Sequence, residues 1–139
     1  MFTHTSYDDF RVLASQMVGD GSHTTERVVP YAIFTDPDLG RVGLTEREAR
    51  EGGYDFDVMR FEMKRDGKSR EIGETKGFIK VLVDRSDGQI LGASVLAAEG
   101  SELVHIYVEL MNARVPYTVL RDAVQIHPTV AEAVQSAVA

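Results

Sequence analysis

The strongest constraint on how this chain folds is a pair of β-rich runs, Phe78 to Val83 and Ile90 to Leu96, flanking Arg85-Ser86-Asp87-Gly88. Asp-Gly accepts the positive φ of a tight reversal, so the two runs are expected to pair as an antiparallel hairpin. Two further runs extend it. Val28 to Thr35 is β-rich and is followed by Asp36-Pro37-Asp38-Leu39-Gly40, whose Asp-Pro and glycine mark a turn. Asp55 to Lys64 alternates with Phe56 and Val58, then with Phe61 and Met63, and the slip between the pairs predicts a bulge or an end effect. These elements make a mostly antiparallel sheet.

Helical patterns surround the strands. Thr45-Glu46-Arg47-Glu48 is a capping box that opens a short helix, closed by Gly52-Gly53. After the hairpin, Ser101 precedes a long pattern through Leu103, Ile106, Tyr107, Leu110 and Met111 that ends near Arg114-Val115-Pro116. Shorter helices are expected over 118–124 and 129–138. Strands first and helices last imply an α+β fold with the helices on one face of the sheet. At the start, 6–18 reads as a helix capped by Ser6, with Asp8 and Asp9 in its first turn and an apolar stripe of Phe10, Leu13, Ala14, Met17 and Val18 that needs a partner. Gly19 to Ser22 breaks that pattern, and the polar stretch to Arg27 is a linker. The division expected is a helical appendage, 1–27, and a domain, 28–139.

A chain of 139 residues fits one such domain and buries roughly two-thirds of its unfolded surface without a disulfide or metal. With 15 basic against 22 acidic residues and no run of Lys/Arg beyond two, it lacks a phosphate-tracking surface, so nucleic acid is not expected as a partner. Zero cysteines exclude a thiol nucleophile and a Cys-ligated zinc site from this chain. Neither a signal-peptide pattern nor 18 consecutive apolar residues is present, so a soluble cytoplasmic protein without a membrane partner is expected. The glycine motifs that cradle nucleotides and the G-x-S-x-G elbow are absent too.

Chemistry concentrates in "IHPTVAEAVQ", 126–135. Pro128 disfavours the α region for His127, which should stand extended just outside a helix starting at Thr129. Glu132, one turn in, is within reach of the imidazole, and a carboxylate on one ring nitrogen would fix the tautomer of an acid/base histidine. The same Thr129-x-x-Glu132 spacing is also a capping box. Spacing alone leaves both readings open. His105 reads as a surface or partly buried residue of the long helix, and His4 and His23 propose no metal site. Asp36 and Asp38 read as turn residues rather than a cation loop, and Met63, Tyr107, Met111 and Tyr117 as packing residues.

Three stretches together resemble the flavin-dependent pyridine nucleotide-disulfide oxidoreductases, the family of dihydrolipoamide dehydrogenase, glutathione reductase and mercuric-reductase-like proteins. They are "VPYAIFTDPDLGRVGLTEREAR" (29–50), "ETKGFIKVLVDRSDGQILGASVLAAEGSELV" (74–104) and "IHPTVAEAVQ" (126–135), in the order found in the family's C-terminal interface domain. "FTHTSYDDFRVL" (2–13) looks like the end of the FAD-binding part.

The resemblance implies a homodimer in which His127 is the acid/base for the partner subunit's active site and Glu132 its orienting partner. It implies that Thr3 and His4 lie near the flavin in a full-length enzyme, which uses FAD and NAD(P)H. This chain has neither the family's Cys-x4-Cys pair nor its nucleotide-binding motifs, so alone it is expected to bind no cofactor and to be inactive. The resemblance to mercuric reductases is incomplete, since the chain lacks their C-terminal cysteine pair and keeps His-Pro-Thr. Without the FAD-binding region, helix 6–18 is expected to be mobile or packed in a way foreign to the family. The alternative is a free-standing, non-catalytic binding or assembly module that retains the fold.

Overall fold

The predicted hairpin lies inside a single five-stranded sheet in the computed structural model, which describes residues 2–139. Strands β1 (Tyr31–Ile33), β2 (Asp38–Gly43), β3 (Phe56–Glu62), β4 (Phe78–Asp84) and β5 (Ile90–Ala97) are arranged β1-β2-β5-β4-β3, every neighbour antiparallel. At the hairpin tip Asp84 accepts a hydrogen bond from the Ser86 amide at 2.8 Å, and Gly88 takes φ 72°. The ladder shifts register once, between Leu82 and Val83.

The helices are α1 (Thr3–Val18), α2 (Glu46–Glu51), α3 (Gly67–Glu71), α4 (Gly100–Ala113), α5 (Thr118–Arg121) and α6 (Ala131–Ser136). Val42, Ile79, Val81, Ala93 and Val95 face α4 and form the core with Val104, Tyr107 and Val134. The face opposite carries Arg41, Ser94 and Lys80, which are cross-strand partners of one another; Lys80 pairs at 3.2 Å with Glu46 of α2, so this short helix borders the second face. The α2 capping box forms in full: the Glu48 amide donates to Thr45 Oγ1 at 3.1 Å and the Thr45 amide to Glu48 Oε2 at 2.7 Å.

Several boundaries differ from expectation, each for a physical reason. The turn read over 36–40 is confined to the cis Asp36-Pro37 bond, and Asp38 onward is strand β2. Gly40 serves close approach rather than reversal: a Cβ there would lie 2.2 Å from the Gly100 carbonyl oxygen and 2.8 Å from Val104 Cβ. In β3 the register with β4 is unbroken, so there is no bulge; Met59 and Phe61 face the core, Val58 is 43% exposed, and Met63 enters the core from the 3₁₀ turn Met63–Arg65. The expected strand to Lys64 therefore ends at Glu62, where that turn begins, and α3 after it carried no expectation. Helix α5 stops at Arg121 and α6 spans only 131–136, leaving an exposed connection between them.

Helix α1 starts at Thr3, so Ser6 is not its cap. Thr5 Oγ1 accepts from the Phe2 amide at 3.2 Å, and Asp8 and Asp9, beyond the first turn, pair with Arg27, each at 2.6 Å. The helix buries none of its residues, and Phe10, Leu13 and Met17 are exposed. No described helix is long and apolar enough to cross a membrane.

Tyr107, 0% exposed, donates its hydroxyl to the Val134 carbonyl at 2.8 Å and ties α4 to α6. Burial pushes the phenol well above its ordinary range, so it remains a donor. Tyr107→Phe leaves that carbonyl unpaired and is expected to cost about 1–3 kcal/mol, read as a lower urea midpoint at unchanged slope.

Candidate functional site

The connection between α5 and α6 is fastened at both ends and otherwise open to solvent. The Gln135 side-chain amide donates to the carbonyls of Leu120 at 3.3 Å and Arg121 at 3.0 Å, and also to Ala123. Thr129 Oγ1 donates to the Ile126 carbonyl at 2.8 Å, across a cis His127-Pro128 bond. Between these fastenings Val124 is 99% exposed and Ile126 79%. His127 is thus presented on a short, anchored loop.

Both readings of Glu132 are realised in one side chain. Its Oε2 accepts from the Thr129 amide at 3.0 Å, and both carboxylate oxygens lie 3.1 Å from His127 Nδ1. Only half of a capping box forms, because the Thr129 hydroxyl is spent on Ile126. A carboxylate acceptor makes Nδ1 the protonated nitrogen, so Nε2 of the neutral ring is the basic site, and after protonation an acid. Nε2 has no hydrogen-bond partner among the described residues, and the side chain is 76% exposed. The imidazole is therefore oriented from one side and open on the other.

The Thr129 amide holds the Glu132 carboxyl below the usual glutamate range, opposed by desolvation and aided to a smaller extent by His127. Since the folded value is depressed, the carboxylate contributes stability above the ordinary glutamate range and loses it as pH falls below that range and through the depressed folded value. Exchange protection of the Thr129 amide is expected to persist through the ordinary glutamate range and fall on acidification below it, and to be flat with pH in Glu132→Ala.

The segment before α3 flanks the imidazole. The Cβ position of Gly67 lies 3.9 Å from His127 Cε1. Asp66, 4% exposed, caps α3 by accepting from the Ser69 amide at 2.7 Å. Sequence reading missed this neighbour, although Asp66-x-x-Ser69 carries a capping signal.

Thr3 and His4 are elsewhere, in the first turn of α1, and no hydrogen bond links them to the His127 pair. They line a cavity of about 750 Å³ with Phe2, Tyr31, Phe34 and His105. His4 Nε2 donates to the Pro30 carbonyl at 2.8 Å, and its ring stacks on Phe2 with centroids 5.2 Å apart. At the helix start the Thr3 and His4 amides have no intrahelical acceptor, so this end offers donors to an electron-rich ring edge. A flavin edge fits such donors; a cradle for its pyrophosphate is not among the described residues. Nor do three His, Cys, Asp or Glu converge as metal ligands among the described residues.

Comparison with known proteins places the fold and the loop together. Residues 29–138 match the family model "Pyridine nucleotide-disulphide oxidoreductase, dimerisation domain". The probable pyridine nucleotide-disulfide oxidoreductase RclA of Escherichia coli is 37% identical over 94% of this chain, and the match covers 30% of that protein. A dihydrolipoyl dehydrogenase of Rhizobium etli is 34% identical over 99% of this chain and 29% of its own length. The solved structure of the HOCl-induced flavoprotein disulfide reductase RclA superposes with a TM-score of 0.92 at 36% identity, over 98% of this chain and 32% of that one. That coverage takes in α1, so the helix keeps the placement of a relative rather than one foreign to the family. The chain spans about 30% of the length of these curated relatives. It belongs to the pyridine nucleotide-disulphide oxidoreductases and carries their dimerisation domain.

Proposed function

We propose that this domain joins two copies of a cytoplasmic flavin-dependent NAD(P)H:disulfide oxidoreductase, each lending its His127–Glu132 pair to the other's active site. The observation that carries the reading is the imidazole held through Nδ1 by a carboxylate, with Nε2 left open. In the net reaction a hydride from NAD(P)H and one proton cleave a disulfide into two thiols. When bound, FAD supplies the relay of the electron pair to a cysteine pair contributed outside this chain. His127 Nε2 delivers a proton to the departing thiolate sulfur and takes one from the attacking thiol; Glu132 steadies the imidazolium between these steps. Thr3 and His4, at the amide-rich start of α1, would hold the edge of the flavin in the full-length enzyme. Taken alone, the 139-residue chain supplies the interface and the acid/base but no electron path, so it is expected to be inactive.

Subunit mixing tests the claim. A homodimer bearing His127→Ala and a homodimer lacking its redox cysteines are each inactive in disulfide reduction. Dissociated and reassociated together, they should yield heterodimers with one restored site, formed by the intact histidine of one subunit and the intact cysteines of the other. Mixed dimers that remain inactive would confine the histidine to its own subunit and reject the reading.

A further inference from the structure

The inference deepens the disulfide-reductase reading, on which it rests, by naming the class of substrate that approaches His127. Among the described residues Arg41, Arg47, Lys64, Arg65, Arg70 and Lys76 have no carboxylate within ion-pair distance, and three of them fall between 64 and 70. This is the segment beside the imidazole, through Gly67 at 3.9 Å from His127 Cε1. Its acidic residues do not cancel the charge. Asp66 is 4% exposed and occupied by the Ser69 amide, Glu62 pairs with Arg60 at 2.8 Å, and Glu71 pairs with Lys68 at 3.1 Å. Arg65 is positioned by its ring contact, with the guanidinium 5.3 Å from the centroid of the buried Phe61 ring. In a chain of net charge −7, the segment 60–71 beside the imidazole is net positive, with Arg60, Lys64, Arg65, Lys68 and Arg70 against Glu62, Asp66 and Glu71.

We propose that Lys64, Arg65 and Arg70 form a cationic rim that selects disulfides carrying a carboxylate or similar anion over neutral ones. A charge within several ångströms of a substrate anion at a solvated rim is worth roughly three- to tenfold in apparent affinity, and salt screens it. None of the three touches the reacting sulfurs in this scheme; they set the concentration and orientation of substrate at Nε2.

Lipoate and lipoamide separate this effect from the chemistry, since they share a dithiolane ring and differ in the charge of the tail. In the flavin-loaded full-length enzyme, KM for lipoate is expected to be roughly tenfold below that for lipoamide at low salt, converging at high salt. Combined Lys64→Gln, Arg65→Gln and Arg70→Gln should bring the ratio near one. Lys64→Glu, on an exposed side chain, should move the ratio the same way and preserves the test if the combined variant fails to fold. Equal KM values in the unmodified enzyme, or an unchanged ratio in the variants, would overturn the proposal. His127→Ala, by contrast, should slow both substrates alike, so loss of the rim and loss of the acid/base are distinguishable. An enzyme that reduces neither disulfide removes the reductase reading and this inference with it.

Discussion

Disulfide turnover by the full-length enzyme is expected to fall by roughly 10²–10⁴-fold when His127 becomes alanine, the usual cost of losing a positioned general acid/base. No other described side chain can take over. Among the described histidines, His4 is bonded to the Pro30 carbonyl, His23 contacts Arg11 and Ser22, and His105 is on α4. Flavin reduction by NAD(P)H requires no proton at the substrate disulfide, so stopped-flow traces should retain the rapid reductive phase and lose the oxidative one. Equal slowing of both phases would make His127 a structural residue. Glu132→Gln keeps an oxygen for the Thr129 amide while removing the charge that steadies the imidazolium; a smaller loss in the oxidative phase is expected, without a change in the reductive one.

A large effect on stability is expected at Gly40. A side chain there meets the Gly100 carbonyl at 2.2 Å and Val104 at 2.8 Å, and these belong to the helix that covers the sheet. Gly40→Val therefore has to push α4 off β2, and is expected to cost about 3 kcal/mol or more, as overpacking against backbone does. Urea unfolding at unchanged slope measures it. Gly67→Ala is the control, because its Cβ meets only His127 Cε1 at an ordinary 3.9 Å. A midpoint for Gly40→Val close to that of the control would show that α4 can retreat without loss.

These two glycines mark where the sequence could and could not be read. The hairpin, the Thr45–Glu48 box and the long helix were legible because local chemistry dictates each: a positive-φ glycine, a reciprocal pair of hydrogen bonds, a 3.6-residue apolar period. Strand β2 was not, because Gly40 answers to a helix sixty residues later in the chain, and glycine in a short window looks the same whether it serves a turn or a close approach. The inward face of β3 was left open for a related reason. Phe56 and Val58 are as apolar as Phe61, and only the pairing with β4 decides which pair faces α4. At the site, the pair His127–Glu132 was visible as a spacing, but that one carboxylate would serve both the Thr129 amide and the imidazole required the folded loop. The cationic segment beside it was out of reach, since Gly67 and His127 become neighbours only through the fold.

Helix α6 is six residues long, and three of them have commitments in different directions: Glu132 to the imidazole, Val134 through its carbonyl to Tyr107, and Gln135 to the chain ahead of the loop. Ala133 and Val134 are also fully enclosed. Such a segment leaves almost no room for sequence drift, whereas Val124 and Ile126, just upstream, touch little within their own chain and are not needed for its packing. Saturation mutagenesis across 122–136 should thus be permissive at Val124 and Ile126, and intolerant at His127, at Thr129 and within α6. Natural variation that retunes this domain is then channelled away from the helix that carries the carboxylate and toward the surfaces that surround it.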